Sequence, residues 1–364
     1  MDLGRDGPGL LLRDILKGED PQIAAALRVI AALKPDILLL TAFDWDHDGV
    51  ALAAFAERLA AAGVAYPHRF APPSNAGLET GLDLDGDGQE GGPRDAQGYG
   101  RFAGDGAMAL LSRWPLGEVR DFSALLWRDL PGAHLPVRED GTPFPSEEAQ
   151  AIQRLSSTGH WVVPVEAPGG TVTVMAWAAT PPVFDGPEDR NGRRAGDEAA
   201  FWLQLLDGAF GPPPEKDFVL MGLANLDPAD GEGPREAIAA LLADPRLQDP
   251  RPISPGGAAD ADPGQAGDPA LDTADWDAAA EGGPGNLRVS YVLPSAGWQI
   301  EAAGVLWPLP GQALADDLAT AGPHRPVWVD LTRPAAARSA GPALPDRQGP
   351  PAGSGSDIGI VSGS

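Results

Sequence analysis

The chain contains no cysteine. That absence removes disulfides, thiolate metal centres and cysteine nucleophiles, and it leaves the redox compartment undetermined. Lysine is nearly missing too: Lys17, Lys34 and Lys216 are the whole set, so 26 basic residues, mostly arginine, face 52 acidic ones. The net charge of −26 repels phosphate backbones and anionic membranes. Nucleic-acid binding would therefore need bridging metal ions or a local basic groove. An acidic, lysine-poor surface suits a salty milieu, and GC-rich codon usage explains the arginine bias equally well. No apolar run reaches the ~18 residues of a spanning helix. The opening Met1-Asp2-Leu3-Gly4-Arg5-Asp6-Gly7 lacks a basic region followed by an apolar one, so no signal peptide is expected within this sequence. A monomer is expected.

Apolar content of 43% is ample for a large core, while Gly 47 and Pro 39 interrupt it with irregular segments. Asp20-Pro21 opens a helix, with Ile23, Leu27 and Ile30 on one face and Lys34-Pro35 at its end. Asp36–Leu40 is a continuous apolar run of strand length, as in a strand buried on both faces. The turn Thr41–Gly49 follows, then an Ala-rich helix to about Ala62, then a Gly/Asp/Pro-rich excursion over 71–105. Met108–Ser112 reads as a strand, and Trp161–Glu166 with Thr171–Ala178 as a hairpin across Pro168-Gly169-Gly170. A polar loop over Pro181–Arg194 precedes a helix near Asp197–Leu206. The buried strand Asp217–Met221 stops at Gly222 and opens into the turn Leu223-Ala224-Asn225-Leu226-Asp227-Pro228. A helix over about Pro234–Leu242, a loop over 251–286 and strands at Leu287–Leu293 and Val327–Leu331 complete one domain, residues 1–333. Residues 334–364, rich in Pro, Ala, Gly and Ser, read as a disordered tail. Mixed strands and helices with hairpins predict an α/β (α+β) sandwich.

The order of Ile37–Leu40, Met108–Pro115, Thr180-Pro181-Pro182, Gly222-x-x-Asn225 and His324–Asp330 resembles the endonuclease/exonuclease/phosphatase (DNase I-like) family. Gly81-Leu82-Asp83-Leu84-Asp85-Gly86-Asp87-Gly88, Pro182–Arg194 and Val292-Leu293-Pro294-Ser295 resemble a bacterial branch of it. The resemblance spans roughly residues 8–331. It implies a four-layer sandwich, two mixed sheets face to face with helices outside, and Mg²⁺- or Mn²⁺-dependent hydrolysis of phosphate esters. Relatives of this type imply a secreted or periplasmic setting.

Position by position, the catalytic set implied by the resemblance is replaced. Thr41-Ala42 stands where the metal-binding Glu is expected, and Trp177-Ala178 where Ser-His is expected. Leu223 replaces the Asp of Gly-Asp-x-Asn, Ser290 replaces an Asp, and Gly322-Pro323 replaces the Ser-Asp before His324. Ala195-Gly196 replaces the branch's Asn-His. The family's first strand, which ends in an Asn near the metal, would precede Asp2 and is absent there. Losing one general base or electrostatic group costs about 10²–10⁴ in rate, so joint loss points to a pseudoenzyme with a binding or structural role. Two alternatives stand beside it: an active hydrolase with altered ligands such as Asp44, Asp227 and His324, and a non-functional truncated relative.

The remaining candidates each carry two readings. His324 is a residual general base or a structural histidine at a strand start. Asn225 binds an anion or caps its own turn. Asp83, Asp85 and Asp87 match the first half of a calcium loop, with Arg94 where the closing acid belongs, or form a solvated acidic turn. Asp44, Asp46 and Asp48 repeat that spacing but lead straight into a helix, where capping explains them. Arg190, Arg193 and Arg194 grip a phosphate or pair with Asp185, Glu188 and Asp189. Trp177 is a candidate to fill the vacated cleft.

Overall fold

The computed structural model describes residues 1–278, 281–334 and 358–363. Asp20 caps the N-terminus of its helix as expected, its carboxylate accepting from Ile23 N at 2.8 Å, and Lys34 closes the other end in a left-handed conformation. In chain order the elements are α1 (Leu10–Lys17), α2 (Pro21–Leu33), β1 (Ile37–Leu40), α3 (Val50–Ala61), β2 (His68–Phe70), β3 (Ala109–Ser112), β4 (Arg120–Asp121), α4 (Glu147–Ile152), β5 (Gly159–Ala167), β6 (Gly170–Ala178), α5 (Arg190–Leu206), β7 (Phe218–Leu223), α6 (Arg235–Ala243), α7 (Pro255–Ala259), β8 (Ser290–Pro294), β9 (Gln299–Val305), α8 (Ala315–Ala321), β10 (Val327–Thr332) and β11 (Ile358–Gly363). Among the described residues, no helix is long and apolar enough to cross a membrane.

Two mixed sheets result. One has the order β2-β3-β1-β11-β10-β9, the other β4-β5-β6-β7-β8. Because successive side chains alternate between faces, each strand feeds two cores. Ile37 and Leu39 of β1 join Val174, Val219 and Val292 between the sheets. Leu38 and Leu40 pack outward with Ile23, Val29 and Phe55 of α2 and α3. On the other sheet Met175, Leu220 and Leu293 face α5 and α6 through Phe201, Trp202 and Ile238. The sandwich is therefore helix, sheet, sheet, helix, as expected. The β5–β6 hairpin closes with Ala167 opposite Gly170, which leaves the two-residue turn Pro168-Gly169.

Two expectations fail. Ile358–Gly363 is not tail but the strand β11, parallel to β1 and antiparallel to β10. Two long-range partners give it what its Gly-rich sequence does not. The rest of that predicted tail beyond Pro334 lies outside the described residues. Likewise α5 begins at Arg190, about two turns earlier than predicted. Its arginines therefore stand on a packed helix instead of in a loop.

Candidate functional site

The turn after β7 sits where β6, β7 and β8 end together. Ala178 lies opposite Leu223, and Leu223 opposite Ser290, so these three positions form one row across the sheet. Gly222 is required just before it: with φ 150°, a side chain there would put its Cβ 1.9 Å from the Trp177 carbonyl oxygen. Asn225 takes a left-handed conformation, φ 53°, and its side-chain amide donates to Ala179 O at 2.7 Å. It ties two strand ends together, using a conformation that asparagine tolerates.

On the other sheet β1 runs into Thr41-Ala42. Ala42 O accepts from Leu3 N at 2.9 Å, and the Met1 ammonium donates to His324 O at 3.2 Å. Ala274 bridges both Leu287, just before β8, and His324, just before β10. Its neighbour Thr273 accepts through Oγ1 from Val289 N and Ser290 N, at 2.9 and 3.0 Å. Ala42, Ala178, Leu223, Ser290 and His324 are thus brought to one end of the sandwich.

The chemistry there is apolar. Ala178 and Leu223 belong to the core between the sheets. The Trp276 ring meets His324 edge-on at 5.0 Å. The imidazole Nδ1 is buried with no hydrogen-bond partner among the described residues. Burial, with the Met1 ammonium and Arg325 adding to it, holds the imidazole down at about 3. It is therefore neutral at physiological pH. Pro323 offers it no carboxylate, and Asp275, whose N–H donates to Pro323 O, pairs its own carboxylate with Arg325. A hard divalent cation needs several oxygen ligands. Two alanines, a leucine and a single serine hydroxyl do not fit one.

The other sequence candidates sit elsewhere. Asp44 is buried and does not cap α3; its oxygens accept from Arg5 N at 2.9 Å and Gly106 N at 3.0 Å. Burial pushes it up to about 6. Asp46 caps α3 instead, accepting from Val50 N and Ala51 N. Arg194 is buried and donates to the carbonyls of Leu155, Gln97, Arg154 and Ser156. Arg190, also buried, donates to Leu84 O, and Arg193 donates to Glu188 O at 3.1 Å. The three guanidinium groups do not converge on one opening. Trp177 faces α5, packed with His160 and Trp202 at ring distances of 5.9 and 6.2 Å, and so does not fill the cleft.

Asp83, Asp85 and Asp87 do converge, with carboxylate oxygens within 4.8 Å of one another. Backbone N–H groups of Gly86 and Gly88 donate to Asp83, and that of Gln89 donates to Asp87. Asp95, out of register in the sequence, pins the loop by accepting from Leu84 N and Gly92 N.

Sequence reasoning missed two features. A cavity of about 470 Å³ lies beside the turn after β7, lined by Asp227, Asp249, Asp272, Arg288, Leu242 and Leu271 among others. Arg288 forks onto Asp249 at 2.5 and 2.9 Å. Burial, reinforced by Asp227, Asp230 and Asp262 against a hydrogen bond from Gln265, raises Asp272 to about 7. The second is Asp197 on α5, buried and accepting from Trp127 Nε1 and His134 N, with His134 Nδ1 2.6 Å away. Asp272 lies in a loop without periodicity and Asp197 on a helix, and neither belongs to a motif that would signal it in advance.

Two mixed sheets face to face under flanking helices define the architecture of the phosphoesterase sandwiches. The chain belongs to the Endonuclease/Exonuclease/phosphatase family, whose profile it matches over residues 14–329. Among solved structures it is similar to sphingomyelinase C from Streptomyces griseocarneus: 18% identity, 78% of this chain and 84% of that one, TM-score 0.41. It is also similar to a Staphylococcus aureus beta toxin, with 13% identity, 86% and 94% coverage and TM-score 0.44. A conserved protein of unknown function from Enterococcus faecalis V583 shares 11% identity over 92% and 98%, with TM-score 0.42. No curated protein matches the sequence.

Proposed function

We propose that this chain is a catalytically silent member of its family that keeps the sandwich for a binding or structural role. One observation carries the reading: the row Ala178–Leu223–Ser290, with Ala42 and a neutral His324 at the same end, contains no carboxylate. Without the metal carboxylate and the imidazole–carboxylate pair, neither Lewis-acid activation nor proton transfer has a donor set. Incubation with a bis-aryl phosphate and with plasmid DNA in Mg²⁺ or Mn²⁺ tests it. The expected rate equals that of metal without protein, and metal-dependent turnover above that background sinks the reading.

The cavity beside β7 favours a second reading, a hydrolase whose acidic groups have moved to Asp227, Asp249 and Asp272 with Arg288 as the cation. Against it, the Asp227 oxygens already accept from Ala229 N, Asp230 N and Arg288 N. If turnover is found, its loss in Asp272→Asn would assign it to this cavity.

A structural Ca²⁺ at Asp83, Asp85 and Asp87 is compatible with either reading. It would relieve repulsion among three converging carboxylates. Calcium is expected to raise the melting temperature of the native chain and not that of Asp85→Asn. Equal responses in the two would remove the site.

A further inference from the structure

β11 lies inside a sheet that the rest of the chain leaves divided. Ile360 stands opposite Ile37 of β1 and Val329 of β10, so the strand closes the gap between them with main-chain pairing on both sides. Its side chains serve both cores: Ile360 is buried between the sheets and Val361 against the helices. Asp36 holds its start, with Gly359 N donating to the carboxylate and Gly359 O accepting from Asp36 N. At its other end Gly363 O accepts from Thr41 N at 3.1 Å. Met1–Leu3 then continue along the same track, Leu3 pairing in parallel with Phe43 as β11 does with β1. A Cβ on Gly363 would lie 3.1 Å from Met1 Cε. Two segments from opposite ends of the sequence thus meet end to end beside β1, at the end of the sandwich that carries Ala42 and His324.

The connection into β11 is far longer than its geometry needs. Leu331 and Ile358 are direct antiparallel partners, and about two residues suffice to join such neighbours. Here residues 332–357 intervene. At up to ~3.3 Å per extended residue, that length reaches well beyond the slot it serves. An occupant delivered from a second copy would make every contact the resident strand makes, so the two arrangements differ only in connectivity and concentration.

We propose that the slot between β1 and β10 is a strand-accepting site, and that it also takes the Ile358–Gly363 segment of a second copy of this chain. In the resulting strand-exchanged dimer, each copy completes the other's sheet and supplies the acceptor for Thr41 N beside the candidate site.

Refolding the full chain from denaturant at low and at high protein concentration, followed by size exclusion with light scattering, tests this. A dimer is expected only from the concentrated refolding, and it should persist on dilution. Deleting residues 335–354 leaves Arg333 and a short closed connection, and should abolish the dimer. Monomer under every condition, or an equal dimer in the deletion variant, overturns the proposal. Complementation adds a readout that does not depend on either mutant folding alone. Ile360→Asp disables the donated strand and Val329→Asp disables the slot. Co-refolding the two should restore a cooperative melting transition in a heterodimer that neither gives by itself, and failure of that rescue alongside a monomeric native chain counts against exchange.

Discussion

Asp272 illustrates how a single side chain carries information that composition hides. Its carboxyl is buried, receives a hydrogen bond from Gln265 Nε2 at 2.6 Å and is surrounded by Asp227, Asp230 and Asp262. The folded state therefore keeps a proton up to about pH 7, whereas the unfolded chain releases it near its ordinary value of 3.8. Between those values the folded form binds more protons, so the stability linked to this group falls as pH rises through the interval. The interval spans about three pH units at ~1.4 kcal/mol each, so about 4 kcal/mol is the upper bound at stake, reduced by solvent screening of the carboxyl. Asp272→Asn mimics the protonated acid and can still accept from Gln265. In urea unfolding, the stability of the native chain relative to Asp272→Asn should fall between pH 5 and pH 7, a difference that cancels the groups common to both proteins. Asp44, raised to about 6 by burial, adds a slope of the same sign to both proteins, and His324, held at about 3, adds one of opposite sign to both.

Among the elements, β7 and its turn were legible in advance and β11 was not. The run Phe218–Met221 ending in glycine names a buried strand and its stop. The close approach of Gly222 to the Trp177 carbonyl also explains why no side chain fits. Gly222→Ala would force that contact apart and strain a backbone at φ 150°, a cost expected to exceed about 3 kcal/mol. Chemical denaturation relative to the native chain measures it. By contrast, Ile358-Gly359-Ile360-Val361-Ser362-Gly363 follows a Pro/Gly-rich stretch and contains two glycines. It becomes a strand through β1 and β10, partners hundreds of residues away in one case. The first turns of α5 escaped notice for a related reason. Arg190-Asn191-Gly192-Arg193-Arg194-Ala195-Gly196 reads as polar and broken, yet the arginines point inward to carbonyls that no periodicity announces. Motif order alone pointed to the row Ala178–Leu223–Ser290 and to Ala42 and His324 at the same end of the sandwich. Asp272 and Asp197 belong to no motif and had to be found in space.

For the whole molecule, charge is the dominant quantity. With a net charge of −26, close packing sets like charges against one another, and only a fraction of them is relieved by ion pairs such as Arg28–Asp317 and Arg246–Asp244. Salt shortens the range of that repulsion to about 8 Å at physiological strength and less above it. The melting temperature should therefore rise with NaCl up to several hundred millimolar, as followed by scanning calorimetry at fixed pH. Mixed strands and helices made an α/β sandwich readable at this scale, while the four layers and the two mixed sheets were expected only through the family resemblance. Patterning shows where apolar faces lie; it does not show which distant segment covers them.

The place of β11 also bears on how the molecule is made. The sheet of β4 to β8 has all its strands once Pro294 has emerged from the ribosome, but the other sheet lacks an inner strand until Gly363 follows. At about 5–20 residues per second, that sets several seconds in which β1 and β10 present unpaired edges. Nascent chains arrested before residue 358, and chains whose Gly363 is carried clear of the ribosome by an added spacer, should differ sharply in protease resistance over β1 and β10 and little over β5 to β8. Synthesis, in this protein, finishes the middle of a sheet last.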